Sequence, residues 1–286
     1  MVDIDSPYTG GGEWLRGNLH AHSTASDGDR TPERVVADYA ARGYDFLALS
    51  DHDTLVDPAE YRDATGMVLL PAVEVTANGP HTLHVGAERA VDPAADRQAV
   101  VDAIDEGFAV PAHPNWKESF AHWPRDELER VEGYAGIELY NAVMREHPGA
   151  ATATGRWDRL LSAGRRVWGF ANDDAHKPWE VGRAWNVVRA EERTPGAVLD
   201  ALAAGRFYAS TGVTVRRVDV AGDTVVVETD DADRIDFVSD YGRVQRTVEG
   251  SVGRCRVPEH LVHGEASYVR AACRGAGGAT AWTQPG

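Results

Sequence analysis

The sequence predicts an α/β fold in which a mostly parallel sheet or barrel is followed by a smaller antiparallel β domain. Three observations support this class. Up to residue 210, short apolar runs alternate with segments of helical spacing, which is typical of parallel strands joined by helices. Clusters of histidine and acidic residues follow several of the apolar runs. From Val213 onward, short segments alternate apolar with polar residues and the helical period disappears, as in antiparallel sheets.

The first elements alternate as this class requires. Residues 1–13 form a Gly-rich leader, and Leu15–His22 is the first predicted strand. Thr31 followed by Pro32 is typical of a helix start, and Gly43 is a suitable end for that helix. Further strands are predicted at 44–50, 67–75, 83–87 and 108–112, with a helix at 97–105.

The alternation continues to a predicted domain boundary at residue 210. Helices are predicted at 126–131, 154–163 and 194–204, and strands at 136–140, 166–171 and 184–188. We therefore divide the chain into the leader, an α/β domain over residues 14–210 and a β domain over residues 211–286. In barrels of this class, active sites lie at the carboxyl ends of the strands.

The composition limits the function. The 286 residues carry a net charge of −16, and their 29 cationic residues include only two lysines, Lys117 and Lys177. This charge disfavours binding to duplex nucleic acid or to anionic membranes. The absence of a membrane-length apolar run or a signal-like start, together with two cysteines, favours a cytoplasmic protein. The acidic, lysine-poor surface indicates adaptation to concentrated salt, although high genomic GC content would also favour arginine.

The segment from Asn18 to Asp53 contains the first candidate ligands. His20 and His22 are two residues apart, and such residues face the same side of a strand. Asp27 follows in a Ser/Asp/Gly turn, and His52 follows the second apolar run. Two strands joined by a helix bring their carboxyl ends to one edge. The segment therefore predicts that these side chains reach a common metal site.

Other apolar runs end in similar residues. The full candidate set is His20, His22, Asp27, His52, Glu74, His84, His113, Asp174 and His176. Imidazole and carboxylate ligands suit Zn²⁺, Mn²⁺ or Fe²⁺, and the lack of cysteine argues against a structural zinc site. Nine ligands are too many for one ion, so the sequence predicts two or three divalent ions with Glu74 as a bridging ligand.

Several neighbouring residues have alternative interpretations. His81 precedes the fourth predicted strand, and we interpret it as a surface loop residue and favour His84 as the ligand. Glu138 is either a ligand or a buried carboxylate bonded to a neighbour. The acidic residues that flank the ligands are expected to orient imidazoles; they are Asp51, Asp53 and Asp173.

The motifs HAH, SDHD, AHP and DAH, in this order over about residues 14–210, resemble the polymerase-and-histidinol-phosphatase (PHP) superfamily of metallo-phosphoesterases. The resemblance implies a distorted (β/α)7 TIM-like barrel that holds up to three divalent ions. By motif, the first ion would take His20, His22, Glu74 and Asp174. The second would share Glu74 and add His84 and His113, and the third would take Asp27, His52 and His176.

The C-terminal part is similar to a subgroup of the same superfamily. The segment GRFYASTG and the ending AWTQPG resemble the carbaryl-hydrolase-like PHP proteins, in which a small antiparallel, sandwich-like β domain follows the barrel. This resemblance implies a metallohydrolase without fixing its substrate.

These residues predict a metal-dependent phosphoesterase that hydrolyses a small phosphate monoester or phosphodiester. Nucleotides and short oligonucleotides belong to this class of substrate. Clustered divalent ions make hydroxide available near neutral pH and neutralise phosphoryl charge. Arg183 and Lys117 are candidate phosphate contacts. Asp53 is a candidate proton donor to the leaving group, in addition to its orienting role.

Two other functions stay open. The same ions could hydrolyse a carbamate, ester or amide, or the chain could be a non-catalytic, metal-stabilised binding scaffold. The β domain could cover the barrel mouth, form dimer contacts or bind a partner, and the sequence leaves the oligomeric state undetermined.

Overall fold

The protein has an α/β fold, as predicted. The computed structural model describes residues 6–59, 65–257 and 268–286. The strands of the α/β part are β1 (Glu13–Asn18), β2 (Phe46–Leu49), β3 (Val68–Val75), β4 (Thr82–Val85), β5 (Phe108–Pro111), β6 (Gly136–Asn141), β7 (Trp168–Asn172), β8 (Trp185–Ala190) and β9 (Phe207–Ser210). Its α-helices are α1 (Pro32–Ala40), α2 (Arg97–Asp102), α3 (Arg125–Arg130), α4 (Thr154–Ser162) and α5 (Pro195–Ala203).

Helix α1 shows how the sequence pattern forms these elements. Pro32 lies in the first helical turn, where backbone N–H groups have no partner within the helix, so the helix loses no hydrogen bond through the N–H that proline lacks. The apolar face of α1 buries Val35, Val36 and Tyr39 against β2 and the start of β3. Gly43 has φ +75°, a backbone conformation that glycine adopts readily, and it ends the helical segment.

The central sheet is parallel at its middle and antiparallel on both sides. Strands β1, β2 and β3 pair in parallel, as predicted. Strand β4 is antiparallel to β3, β5 is antiparallel to β4, and β8 is antiparallel to β1. The prediction of a mostly parallel sheet is therefore only partly correct.

Strands β6 and β7 form a separate parallel pair between the ends of β5 and β1. The amide of Ala135 donates to the carbonyl of Ala109, and the amide of Asp174 donates to the carbonyl of His20. The (β/α)7 barrel is not confirmed, because the five α-helices within the described ranges have only six to nine residues each and β4 runs antiparallel.

An apolar core lies between the sheet and its helices. Phe170 stacks on Phe207 at 4.7 Å between ring centroids, and Phe108 lies 6.0 Å from Phe170 on the other side. All three side chains are buried. Burying a phenylalanine stabilises the fold by about 1.5–3 kcal/mol, so this stack fixes the base of the strands that hold the candidate ligands.

The C-terminal strands extend the same sheet. They are β10 (Val215–Ala221), β11 (Thr224–Thr229), β12 (Ala232–Ser239), β13 (Arg243–Glu249), β14 (Val252–Arg256), β15 (Arg270–Gly275) and β16 (Thr280–Thr283). Strand β16 pairs with β9, so one sheet of eleven strands runs from β13 to β5.

A second layer gives the C-terminal part its sandwich-like form. Strands β10, β11 and β14 form a three-stranded sheet, and its buried side chains, such as Val227, pack against Ile235, Phe237 and Cys273 of the long sheet. The pairing of β9 with β16 therefore joins strands from both sides of the predicted boundary at residue 210. The division into two domains stays a prediction. Residues 1–5 of the leader and 258–267 of the β domain lie outside the described residues.

The leader contributes to packing. Tyr8 is buried; its hydroxyl donates to the carbonyl of Phe207 at 2.8 Å and accepts the amide of Gln284 at 2.6 Å. Tyr8 thus anchors the leader, whose described residues 6–12 contain no helix or strand. In the described parts of the chain, no helix is long and apolar enough to cross a membrane.

Candidate metal centre

The predicted histidine pair lies just beyond β1, which ends earlier than expected, at Asn18. Ala21 forms an isolated parallel bridge with Ala175, so the segment remains extended and its alternate side chains share a face. The rings of His20 and His22 have centroids 5.1 Å apart. The local prediction of two imidazoles on one face agrees with this placement.

Glu74 lies at the middle of the cluster. Its side chain is buried, and its Oε1 lies 3.0 Å from His81 Nδ1 and 3.0 Å from His113 Nε2. Its Oε2 lies 2.9 Å from His52 Nδ1. Burial raises the pKa of Glu74, but the surrounding imidazoles of His20, His81 and His113 outweigh burial and hold this pKa well below its ordinary value. Glu74 is therefore a carboxylate with several imidazole neighbours.

Asp174 lies beside the first histidine pair. Its Oδ1 is 3.1 Å from Nε2 of both His20 and His22. Burial raises the pKa of Asp174, but charge interaction with His20 and the hydrogen bond from His22 lower it far below its ordinary value. Burial lowers the pKa of His20, yet the charges of Asp174, Glu74 and Glu138 raise it well above its usual range. Protons would therefore compete with a metal ion for these ligand atoms.

A third group lies at the more open side. Asp27 has a half-exposed carboxylate; its two oxygens lie 3.4 Å from His52 Nε2 and from His176 Nε2. His22 Nδ1 is 3.8 Å from the same side chain. The structure thus brings together His22, Asp27, His52 and His176.

The donor set fits divalent metal ions. In four groups of these residues, one ligand atom per residue lies within 4.8 Å of the others, close to the span of about 4 Å that metal–ligand bonds of about 2.0–2.2 Å require. The groups are His20, His22 and Asp174; His20, Glu74 and His113; His52, Glu74 and His81; and His22, Asp27, His52 and His176. His22 Nδ1 is buried and has no hydrogen-bond partner among the described residues, its nearest carboxylate oxygen being that of Asp27 at 3.8 Å. Unpartnered buried polar atoms are costly, and a bound cation would satisfy them. The clusters are therefore candidate divalent metal sites.

The prediction of His84 as a ligand is wrong. In the antiparallel register of β3 and β4, Glu74 is paired with Leu83, and His84 is paired with Val73. Successive residues of a strand face opposite sides, so His84 faces away from Glu74. Its Nε2 binds the carbonyl of Glu106 at 2.8 Å instead. His81, which we interpreted as a surface residue, contacts Glu74.

Glu138 supports the ligands from behind. Its Oε1 accepts from His20 Nδ1 at 2.8 Å, and its Oε2 accepts from the amide of His113 at 2.7 Å. The side-chain amide of Asn172 donates to the same Oε1. Of the two interpretations of Glu138, the structure therefore agrees with that of a buried carboxylate bonded to its neighbours. Its bond with His20 fixes the His20 tautomer that carries the proton on Nδ1.

The three aspartates that flank the ligands bind groups of nearby loops. Within the described residues none of them bonds to an imidazole, so the expectation that they orient imidazoles is wrong. Asp51 accepts from the amide and hydroxyl of Ser23. Asp53 accepts from the amide and hydroxyl of Thr76. Asp173 accepts from backbone amides of residues 182–184, and burial raises its pKa to about 6 despite these bonds.

A cavity of about 330 Å³ opens over the cluster. Its metal-facing wall includes Asp27, His52, Glu74, His81, His113, Asp174 and His176. Trp116, Val143 and Met144 form an apolar side, and His147 and Lys177 contribute polar groups. The sequence analysis missed this role of Lys177, although the lysine directly follows the DAH motif.

The predicted substrate contacts do not line this cavity. Arg183 pairs with Glu146 at 2.6 Å, and Lys117 lies over the Trp116 ring with Nζ 5.6 Å from its centroid. The carboxylate of Asp53 is occupied by Thr76 and Ala77. The geometry therefore gives no support to these three residues as catalytic or substrate-binding groups.

Comparisons with known proteins agree with the motifs. Residues 162–207 match a family described as PHP-associated. A stretch of 95 residues is 39% identical to the 3',5'-nucleoside bisphosphate phosphatase of Chromobacterium violaceum, covering 32% of this chain and 33% of that protein. Another of 64 residues is 44% identical to a 5'-3' exoribonuclease of Haemophilus influenzae, covering 21% and 23%. The matches thus span about a quarter to a third of these relatives' length.

A solved structure is similar over most of the chain. It is a two-domain protein containing a predicted PHP-like metal-dependent phosphoesterase from Bacteroides vulgatus, with a TM-score of 0.54 and 20% identity over 89% of this chain and 87% of that one. This likeness shows the fold. The PHP-associated match and the two relatives agree with the resemblance to the PHP superfamily.

Proposed function

We propose that this protein is a metal-dependent phosphoesterase that hydrolyses a small phosphate monoester or phosphodiester. One observation carries the proposal: the buried carboxylate of Glu74 has imidazole nitrogens from His52, His81 and His113 within 3.0 Å on the floor of an open cavity. Buried ionisable groups that converge in a cleft are typical of functional sites.

Two or three divalent ions would be held by these residues. His20, His22, Glu74 and Asp174 would hold the first, and Glu74, His81 and His113 the second, with His81 in place of the predicted His84. Asp27, His52 and His176 would hold the third. Zn²⁺, Mn²⁺ and Fe²⁺ suit such mixed ligands. When bound, these ions make hydroxide available near neutral pH and neutralise charge on phosphoryl oxygens.

The cavity walls indicate how a substrate would bind. Lys177 would place a positive charge near the phosphate, and Trp116 with Met144 would contact the organic part of the ester. A volume of about 330 Å³ lies within the range of small-ligand sites. The relatives named as a nucleoside bisphosphate phosphatase and an exoribonuclease favour a nucleotide or a short single-stranded oligonucleotide.

The finer assignments belong to the same proposal. The ring of strands β1 to β7 would correspond to a distorted (β/α)7 barrel, and the chain would belong to the carbaryl-hydrolase-like subgroup. In that subgroup, hydrolysis of a carbamate, ester or amide at the same ions is the alternative activity. A non-catalytic scaffold is less favoured, because the ligand groups are complete apart from the exchange of His84 for His81. The cytoplasm would be its location.

The first experiment combines metal analysis with hydrolysis assays. Purified protein would be examined for metal content and then assayed with an aryl phosphate, a bis-aryl phosphodiester and an aryl carbamate. Glu74→Ala and His52→Ala serve as site variants, and His84→Ala is the matched control outside the site. We expect two or three ions per chain and phosphate release that only the site variants lose.

Other outcomes are equally informative. Turnover of the carbamate without turnover of either phosphate would replace the phosphoesterase proposal by the alternative. Stoichiometric metal with no turnover of any of the three would favour the scaffold. Protein that binds none of Zn²⁺, Mn²⁺ or Fe²⁺ would overturn the metal centre itself.

A further inference from the structure

Two consecutive residues of another loop, His122 and Trp123, bind the backbone amide and the backbone carbonyl of His81. The amide of His81 donates to His122 Nε2 at 2.8 Å. The carbonyl of His81 accepts the indole N–H of Trp123 at 2.7 Å and the amide of Ala112 at 3.0 Å. His81 directly precedes β4, and its contact with Ala112 continues the pairing of β4 with β5. The contacts with His122 and Trp123 add to this pairing, and together they fix the His81 backbone.

The tautomer of His122 follows from the donor. A backbone amide only donates, so His122 Nε2 must be unprotonated and accept. The ring is buried and packs between its neighbours, with centroids 4.6 Å from His81, 4.9 Å from His113 and 4.8 Å from Trp116. This packing leaves the acceptor nitrogen of His122 aligned on the His81 peptide.

The loop that carries His122 is itself held in place. Lys117 and Phe120 have positive φ values of 79° and 52°, which are unfavourable for residues other than glycine. Arg156, from α4, offsets this by donating to the carbonyls of Phe120 and Trp123. The loop is thus fixed from outside the cavity, and it can act as a rigid support.

We infer that His122, together with Trp123, is a positioning residue that fixes His81 in the orientation required to hold the second ion beside Glu74. The inference rests on the proposed metal centre. Like His52 and His113, His81 lies outside a regular strand, and its own peptide is bound by His122 and Trp123. Without these contacts its ring would shift relative to Glu74. Groups that orient a metal ligand typically change metal affinity by 10- to 100-fold when they are removed.

The test measures Zn²⁺ affinity for each site of the metal-stripped full-length protein. His122→Phe removes the acceptor and keeps an aromatic ring, whereas His122→Gln keeps an acceptor oxygen near the position of Nε2. Trp123→Phe removes the indole donor together with part of a fully buried ring. We expect His122→Phe to weaken one of the bound Zn²⁺ ions by about 10- to 100-fold and His122→Gln to restore most of that affinity.

Controls separate positioning from general damage. His84→Gln changes a buried histidine of β4 that faces away from Glu74, and it should leave every Zn²⁺ affinity unchanged. The melting temperature of each metal-free variant reports on folding, and Trp123→Phe provides a second disruption if His122→Phe fails to fold. A merely structural role would lower all Zn²⁺ affinities together, which would overturn the inference.

Three further results decide the matter. Unchanged Zn²⁺ affinity in His122→Phe would overturn the inference while leaving the metal centre intact. Equal losses in His122→Phe and His122→Gln would overturn it in favour of His122 as a ligand, since the rings of His81, His113 and His122 already lie close enough to share an ion. Wild-type protein that binds no Zn²⁺, Mn²⁺ or Fe²⁺ would instead refute the proposed function.

Discussion

Lys177 is one of two lysines in a chain of net charge −16, and it lines the cavity over the metal ligands. Its ammonium group is a compact charge of the kind that binds phosphate. Lys117, the other lysine, is absent from the cavity wall. Each lysine has its Nζ 5.6 Å from a tryptophan ring centroid, Lys117 from Trp116 and Lys177 from Trp179. The two residues therefore form a matched pair for testing how an acidic protein attracts an anionic substrate.

We predict that Lys177→Met lowers kcat/KM for an aryl phosphate about tenfold, because hydrogen bonds to charged groups contribute about 1.5–3 kcal/mol and this group is partly screened by solvent. Steady-state kinetics at low salt checks the effect. Lys117→Met should have kinetics close to wild type. Equal effects of the two substitutions would show that only long-range charge matters.

The ligand residues differ in how well the sequence predicts them. His20, His22 and His113 follow parallel strands or extended segments, where the rule that ligands lie at carboxyl strand ends applies. His81 escapes this rule because β4 is antiparallel to β3, so the start of β4 meets the end of β3 that carries Glu74. Nothing in the local sequence specifies that reversal. His81 was therefore interpreted as a surface loop residue, and His84 was favoured although its side chain faces away from Glu74.

At the scale of elements, a buried ion pair joins the α/β part to the C-terminal strands. Asp158 of α4 accepts two hydrogen bonds from Arg270 of β15, at 2.8 Å and 2.7 Å. The hydroxyl of Tyr268 donates to the same carboxylate. Both charged side chains are at most 5% exposed, so the pair has lost its solvent and depends on its own contacts.

We predict that Asp158→Asn destabilises the protein by about 3–5 kcal/mol, because the buried guanidinium of Arg270 is left without its charge partner. Urea unfolding measures the change. Arg89→Gln breaks an exposed pair with Asp105 and should cost less than about 1 kcal/mol. A double variant, Asp158→Leu with Arg270→Met, should be more stable than Asp158→Asn. If Asp158→Asn and Arg89→Gln lower the free energy of unfolding by the same amount, the buried pair contributes no more to stability than the exposed pair.

A second carboxylate joins three strands and gives a pH dependence. Asp236 of β12 accepts from Arg234, from Arg274 of β15 and from Thr247 of β13, at 2.8–3.0 Å. Burial raises the pKa of Asp236, but these hydrogen bonds outweigh burial and lower the pKa below its ordinary value. A lowered folded-state pKa adds stability above the unfolded-state value of about 3.9, and this contribution is lost as the pH falls through the folded-state pKa.

Asp236→Asn should therefore be less stable than wild type by about 1–3 kcal/mol at pH 7. The difference should shrink as the pH falls below the unfolded-state value of about 3.9 and through the lowered folded-state pKa, where wild-type Asp236 becomes protonated. Urea unfolding at pH 7 and over a series of acidic pH values checks this prediction. A difference that is equally large in acid would assign the loss to geometry, with no contribution from charge.

At the scale of the whole molecule, bound ions should stabilise the fold. Any ligand that binds only the folded state adds RT ln(1 + [L]/Kd), about 4 kcal/mol per site at a thousandfold excess over Kd. We predict that a chelator lowers the melting temperature by roughly 10 °C. Calorimetry measures the shift. Glu74→Ala should show a smaller shift, and an equal response would locate the stabilising ions elsewhere.

The global arrangement could be predicted only in part. The α/β class and the positions of most elements follow from local apolar periodicity, as in α1 with Val35, Val36 and Tyr39. The pairing of β9 with β16 does not, since strand partners far apart in sequence leave no local signal. The sequence therefore predicted a boundary at residue 210 but not the single sheet that continues across it.

That continuous sheet has a consequence for the newly made chain. The partner of β9 follows it by about 70 residues, as the contact between Thr211 and Thr280 shows. At a synthesis rate of about 5–20 residues per second, the edge of β9 emerges from the ribosome roughly 4–14 seconds before β16 can cover it. An uncovered strand edge is a template for pairing with other chains. Nascent copies on one messenger RNA are therefore vulnerable to aggregation during this interval, and chaperone binding there would protect them.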